Sequence, residues 1–365
     1  MLSALALAGS AVIVTPAAAG ATPPAAFAGA PLSSNADTEP TAVQLGDSYS
    51  AGNGAGAYVE RTCWRSPLNY GAPAAAAMGA KYVNVACSGG VVKDILEPRS
   101  FGGSFLRTKT YRVPRSLPDR RAEWMRQAKE ANLCGVPAQA DWYYAYNRIA
   151  SSTAGDYYTA TVRCRLWAKP QIDAVNENTS AVFLTIGGND VGFTEIVTQC
   201  IALRDEGGCR RQIESAQSLV PTMKSRTKDA LRQVHERSGG RAKVYLLSYP
   251  YLLKRESYRL PDLAPRYDAG AALNRLQDSG DQAQAELMSE LNAETGTDHF
   301  VYVDTVKDEW GGRTHSIDTR LGAHNHGAWL WPILATGREF AEWMHPKPEG
   351  WAASSRALQG KIRTS

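Results

Sequence analysis

Five short apolar runs, Ala42–Leu45, Tyr82–Val85, Ala181–Ile186, Lys243–Leu247 and Phe300–Val303, are separated by longer amphipathic stretches. Runs this short and rich in β-branched residues read as fully buried strands, and the stretches between them read as helices. Helices are expected over Leu68–Met78, Ile213–Glu236, Ala271–Ala293 and Gly350–Leu358. In the second of these, Leu219, Met223, Ala230, Leu231 and Val234 recur at helical spacing among Lys and Arg. Strands that alternate with helices make a parallel sheet covered on both faces, because each right-handed crossover lays a helix back on the sheet. The expected architecture is a three-layer α/β/α sandwich with a central parallel sheet. At 365 residues the chain can bury a full core.

Two regions depart from this rhythm. Leu2 to Val14 is an apolar run followed by Thr15-Pro16-Ala17-Ala18-Ala19, as in a secretory signal peptide, although no Lys or Arg precedes Arg61. Residues 1–36 are therefore expected to be a signal peptide and disordered segment, ahead of one domain over 41–362. The second departure is an insertion at about 97–170, with thirteen Lys and Arg against six Asp and Glu, and eleven aromatics. A structureless loop of this length is unusual in a compact domain, so we expect a partly helical insertion. It reads either as a satellite core with solvated arginines or as a lid or substrate-facing wall whose aromatic and cationic rim holds a polyanionic or amphiphilic ester. The net charge of the whole chain is only +4 and no block of like charges occurs, which gives no reason to expect a nucleic-acid partner.

Six cysteines suit an oxidising compartment and three disulfides. Fifteen pairings are open; local closure favours Cys63–Cys87, Cys134–Cys164 and Cys200–Cys209. No Cys-x-x-Cys pair occurs and no His stands at zinc spacing, so no metal site is expected. His315, His324 and His326 read as a solvated loop, and His235 and His299 as structural.

Four segments carry the residue types of nucleophilic catalysis. They are Gly46-Asp47-Ser48, Asn84-Val85-Ala86-Cys87-Ser88-Gly89-Gly90, Thr185-Ile186-Gly187-Gly188-Asn189-Asp190, and Glu342-Trp343-Met344-His345-Pro346. The first three lie at the carboxyl ends of expected strands, where open α/β sheets place their ligands. Taken singly, each reads as well as a tight turn or a surface residue. Together they supply a serine nucleophile (Ser48), a general base (His345) and an oxyanion hole from the Ser48 and Gly89 N–H groups and the Asn189 amide. Asp47, next to the nucleophile, reads as a turn-stabilising acceptor, and Asp190 as similar.

In these four motifs the chain resembles the SGNH (GDSL-type) hydrolases, in particular their secreted actinobacterial esterase and lipase branch. Cys63-Trp64-Arg65-Ser66 and Ser248-Tyr249-Pro250 extend the resemblance, which spans about residues 41–360 around the insertion. It implies a flavodoxin-like sandwich and a secreted enzyme that hydrolyses carboxylic esters through an acyl-enzyme, without cofactor. The substrates implied first are lipid, acylglycerol or phospholipid acyl esters. A carbohydrate or plant-polyester esterase, or a non-catalytic lipid- or glycan-binding protein on this fold, are the alternatives. A monomer that makes transient contact with lipid surfaces completes the expectation.

The chain also departs from that family in two places. The family's Asp-x-x-His is here Glu342-x-x-His345, so either the Glu342 carboxylate or its main-chain carbonyl is expected to orient the imidazole, with Asp318 as an outside candidate. The family's Phe-x-Gly-His-Glu-x-Cys segment is only loosely followed by Trp310-Gly311-Gly312-Arg313-Thr314-His315. Its cysteine is missing, which makes Cys134–Cys164 an addition.

Overall fold

A computed structural model describes residues 39–365 apart from 103–106, 262 and 321; the signal-peptide expectation lies outside the described residues. In chain order the strands of four or more residues are β1 Thr41–Gln44, β2 Lys81–Asn84, β3 Thr108–Pro114, β4 Trp142–Ala154, β5 Tyr157–Ala168, β6 Thr179–Leu184, β7 Lys243–Leu247 and β8 Phe300–Val303. The α-helices are α1 Ser48–Ala51, α2 Gly71–Ala77, α3 Lys93–Leu96, α4 Arg120–Glu130, α5 Phe193–Ile196, α6 Glu206–Arg237, α7 Ala269–Thr295, α8 Val306–Glu309 and α9 Pro348–Thr364.

Five strands form a parallel sheet in the order β8-β7-β6-β1-β2. These are the five expected strands, displaced by at most two residues at their ends. Successive side chains on a strand point to opposite faces, and the two faces carry separate cores. Ala42, Phe183, Tyr245 and Leu247 pack against α2 and α9, through Tyr70, Ala74, Trp351 and Leu358. Val43, Leu45, Val182, Leu184 and Val244 pack against Ile95 of α3, Leu231 and Val234 of α6, and Leu287 and Leu291 of α7. The chain leaves β1 for β2 on one side and later lays β6 on the other. The crevice above β1 is thus the topological switch point of the sheet.

The insertion is partly helical, as expected, but most of it is a sheet that the sequence reading did not describe. It holds one helix of ordinary length, α4, but is dominated by an antiparallel sheet in which β5 pairs with both β3 and β4. Ala160, Val162, Cys164, Leu166 and Ala168 alternate with less buried neighbours, which is strand periodicity. Ala154 and Tyr157 are paired across Gly155-Asp156, and Gly155 takes φ +53°, so β4 and β5 form a hairpin with a two-residue loop. Trp124 and Ala128 of α4 cover the inner face of this sheet.

The disulfides join Cys63 to Cys87, Cys134 to Cys164 and Cys200 to Cys209, as local closure favoured. The second ties the segment after α4 to β5. The first packs with Phe101, Trp142 and Leu166 and so seats the insertion beside the loop after β2. Arg65, 4% exposed, completes the joint. It grips both oxygens of Asp141 (3.0 and 2.7 Å) and donates to the carbonyls of Ala86 (2.9 Å) and Val85 (3.1 Å). A buried guanidinium with its donors so used is one whose desolvation is compensated.

Candidate active site

β1 ends in a turn that glycine alone fits. Gly46 has φ +111°, and a Cβ there would stand 2.2 Å from the Thr185 carbonyl oxygen. The side chain of Gln171 clamps the same peptide from both sides. Its Oε1 accepts from Gly46 N–H (2.6 Å) and its Nε2 donates to Gly46 C=O (3.0 Å). Asp47 then caps α1, accepting from Tyr49 N–H (2.9 Å), the Thr185 hydroxyl (2.8 Å) and the Tyr249 hydroxyl. Burial pushes the Asp47 carboxyl up to about 6, against the pull of those three donors. Asp47 is therefore a brace for the turn, as read from the sequence. Asp190 has a similar part, accepting Val92 N–H with both carboxylate oxygens (3.2 and 3.0 Å).

Ser48 follows at the start of α1. His345 arrives from the far end of the chain, and its Nε2 lies 2.7 Å from Ser48 Oγ. Both residues are nine-tenths buried. The backbone around the histidine is fixed by an antiparallel bridge: Met344 N–H donates to Trp331 C=O (2.7 Å) and Trp331 N–H to His345 C=O (2.9 Å). Met344 takes φ +60°, a conformation L side chains rarely adopt, and the Tyr49 hydroxyl holds its carbonyl.

The imidazole is oriented by a group other than the expected one. His345 Nδ1–H donates to the main-chain carbonyl of Trp343, two residues back, at 2.8 Å. The Glu342 carbonyl, three residues back, accepts His345 backbone N–H instead (3.2 Å). The Glu342 carboxylate faces away, taking the Tyr58 hydroxyl (2.7 Å), Arg338 (3.2 Å) and Glu339 N–H (3.1 Å). The physical reason is the short 3-10 turn Phe340–Glu342, whose capping box occupies the Glu342 side chain. Asp318 is likewise engaged elsewhere: Arg320 pairs with it and holds its carboxyl down at about 2. Burial pushes the His345 imidazole down to about 4, against the smaller upward pulls of the Trp343 carbonyl and the Glu342 charge.

Of the expected oxyanion donors, Asn189 lines the same cleft as Ser48. Gly89 takes φ +71° in the loop after β2. Asn189, in the loop after β6, spends one amide N–H on the Gly90 carbonyl (2.8 Å), which fixes its rotamer and leaves the second N–H available. Among the described residues no protein acceptor takes the N–H of Ser48 or Gly89.

From Ser48 an apolar cleft of about 120 Å³ runs between α5, α6 and α7. Phe193, Met223, Leu252, Leu273 and Leu276 line it, and Gln284 lies in its wall. Tyr249 stands at the junction, its hydroxyl linking Asp47 to Gly188 N–H (3.3 Å). Among these supporting residues, Gln171 and Tyr58 were not singled out in the sequence, and Thr185 and Trp343 appeared there only as members of motifs, without a role. Each acts from a part of the chain remote from its partner, or through the backbone.

A family model described as GDSL-like Lipase/Acylhydrolase matches residues 43–358. Over 84 residues the chain is 32% identical to a lipase of Streptomyces rimosus. That stretch is 23% of this chain and 31% of the lipase, so the alignment spans less than a third of the curated relative. Among solved structures, phospholipase A1 from Streptomyces albidoflavus NA297 superposes with a TM-score of 0.55 at 23% identity, covering 88% of this chain and 99% of that one. An extracellular lipase from Streptomyces rimosus gives 0.56 at 22%, with the same coverage. At such identities these two structures establish the α/β/α fold.

Proposed function

This chain belongs to the GDSL-like lipase/acylhydrolase family, and from that premise we propose that it hydrolyses carboxylic esters through an acyl-enzyme on Ser48. The observation that carries the reading is the 2.7 Å contact of Ser48 Oγ with His345 Nε2 at the mouth of an apolar cleft. With Nδ1–H committed to a carbonyl, Nε2 bears the lone pair and accepts the Ser48 proton. Ser48 Oγ attacks the ester carbonyl, and the Ser48 and Gly89 N–H groups with the free Asn189 N–H receive the oxyanion. His345 then gives its proton to the leaving alcohol. Water, deprotonated by the same imidazole, releases the acid and restores the serine.

The substrate side follows from the cleft. Its apolar walls suit the acyl chain of a lipid or acylglycerol ester, while the alcohol leaves toward solvent. The three disulfides support export to an oxidising compartment, and we read the enzyme as a secreted monomer. Hydrolysis of p-nitrophenyl acetate, butyrate and palmitate tests the proposal, with Ser48→Ala as control. The expected result is turnover that requires Ser48 and extends beyond acetate. Absence of turnover on all three esters, or a fully active Ser48→Ala, refutes it.

A further inference from the structure

The β3–β4–β5 sheet has two unlike faces. Its inner face carries Val113, Ala160, Val162, Cys164 and Leu166, buried beneath α4 and against the Cys63–Cys87 disulfide. On the outer face, reached by the alternate residues of β5, none of Tyr157, Thr159, Thr161, Arg163, Arg165 and Trp167 is buried. No helix or strand among the described residues covers it.

We propose that this outer face binds an acidic polysaccharide chain. Arg163 and Arg165 stand on β5, and the cross-strand register brings Arg112 of β3 opposite Thr159. None of the three lies within ion-pair distance of a carboxylate among the described residues. Two lie over aromatic rings instead: Arg112 4.3 Å from the Tyr157 ring centre and Arg165 5.9 Å from that of Trp167. A guanidinium held this way keeps N–H donors on its edge for carboxylate or sulfate oxygens.

The aromatic rings mark the two ends of the face, Tyr157 at one and Trp167 stacked with Tyr143 at the other. Ten residue steps along β5 separate them, roughly 30 Å, enough for an extended chain of several sugar units. Between them lie paired hydroxyls, Thr110 with Thr161 (2.9 Å) and Ser152 with Thr159 (2.6 Å). These pairs hydrogen-bond to sugar hydroxyls without a desolvated charge. The side chains in register on this face include no Leu, Ile, Val, Met or Phe. The rings of Tyr143, Tyr157 and Trp167, and the half-exposed Ile149 at the bulge of β4, are scattered among Arg, Thr and Ser and form no continuous apolar stripe for insertion into lipid, so a glycan is the occupant the chemistry favours. The inference is independent of the reaction at Ser48, since it concerns attachment and not turnover.

Binding of the full chain to polygalacturonate and to dextran sulfate is measured at low ionic strength, with neutral dextran and with vesicles of phosphatidylcholine containing about one third phosphatidylglycerol as comparisons. The two acidic polymers distinguish carboxylate from sulfate as the anion recognised. Expected is salt-sensitive binding to at least one acidic polymer and little to neutral dextran. Arg112→Gln/Arg163→Gln/Arg165→Gln weakens it about tenfold or more at unchanged Tm, and Trp167→Ala weakens it about threefold or more. The proposal is overturned by equal affinity for neutral dextran, by an unaffected triple variant, by an unaffected Trp167→Ala, or by binding to the vesicles but to neither acidic polymer. Should the triple variant fail to fold, Arg165→Gln alone serves, with the same reading.

Discussion

The carboxyl ends of β1, β2 and β6 and the outer face of the insertion sheet both leave hydrogen-bond donors open, but in opposite geometries. At the first, the protein's own groups satisfy nearly every polar atom: Gln171 clamps Gly46, three donors hold Asp47, and Gly90 fixes Asn189. The donors left over are Ser48 N–H, Gly89 N–H and one Asn189 N–H, and Ser48 and Asn189 line one cleft; on the proposed mechanism these donors serve one oxyanion beside the nucleophile. At the second, the donors are spread along strands and belong to cations, two of which, Arg112 and Arg165, lie with their guanidinium groups over rings. Convergent donors stabilise one developing charge; dispersed donors suit a ligand that repeats its charge along its length.

A third region supplies the contrast case for charge. Between α6 and α7, Lys224 meets Glu286 and Glu290, Lys228 meets Glu290 and Glu294, and Arg232 meets Glu294 while also pairing with Asp229 of its own helix, all within 3.0 Å. Of the insertion's thirteen cations, only Arg99 and Arg126 have carboxylate partners among the described residues. Cations answered internally join two helices; cations left unanswered are free for a partner.

The largest expected effect that breaks the comparison is Asn189→Ala. It removes one proposed oxyanion donor and should lower kcat for p-nitrophenyl butyrate about 10²–10³-fold, with polymer binding unchanged; loss of binding as well would merge the two regions into one site. Removing the staple with Cys134→Ala/Cys164→Ala should destabilise the insertion by about 3 kcal/mol, read as an added low-temperature transition in calorimetry, with short-ester turnover kept. Leu276→Trp fills the apolar cleft and should shift preference from palmitate toward acetate by about tenfold in relative kcat/KM; an unchanged ratio would place the acyl chain elsewhere. Lys228→Gln, in the exposed helix ladder, should move Tm by only about 2 °C or less.

The sequence made the sheet legible because each of its strands is a short, continuously apolar run, and the candidate catalytic groups legible because three of the four follow such a run directly. Glu342 as the orienting group did not survive. The group that aims His345 is a backbone carbonyl, placed by the positive φ of Met344 and by the bridge to Trp331, and no side-chain identity announces it. Gln171 lies 125 residues from the glycine it clamps, so only the folded sheet reveals it. The insertion is a different lesson. That it is partly helical was legible, whereas its alternation at Ala160, Val162, Cys164 and Leu166 and its Gly155-Asp156 turn signal a hairpin that length and charge alone do not reveal.

The central claim is a Ser48–His345 pair aimed by a carbonyl, with no carboxylate on the imidazole. The pH dependence of kcat/KM for an uncharged ester tests it most directly. A general base works only when neutral, so activity is lost as pH falls through the imidazole pKa. A carboxylate on Nδ1 would raise that pKa by stabilising the cation, whereas burial beside a carbonyl lowers it. The account predicts an acid limb near pH 4, where burial sets His345. A limb at the ordinary histidine value of about 6.5 or above would contradict it.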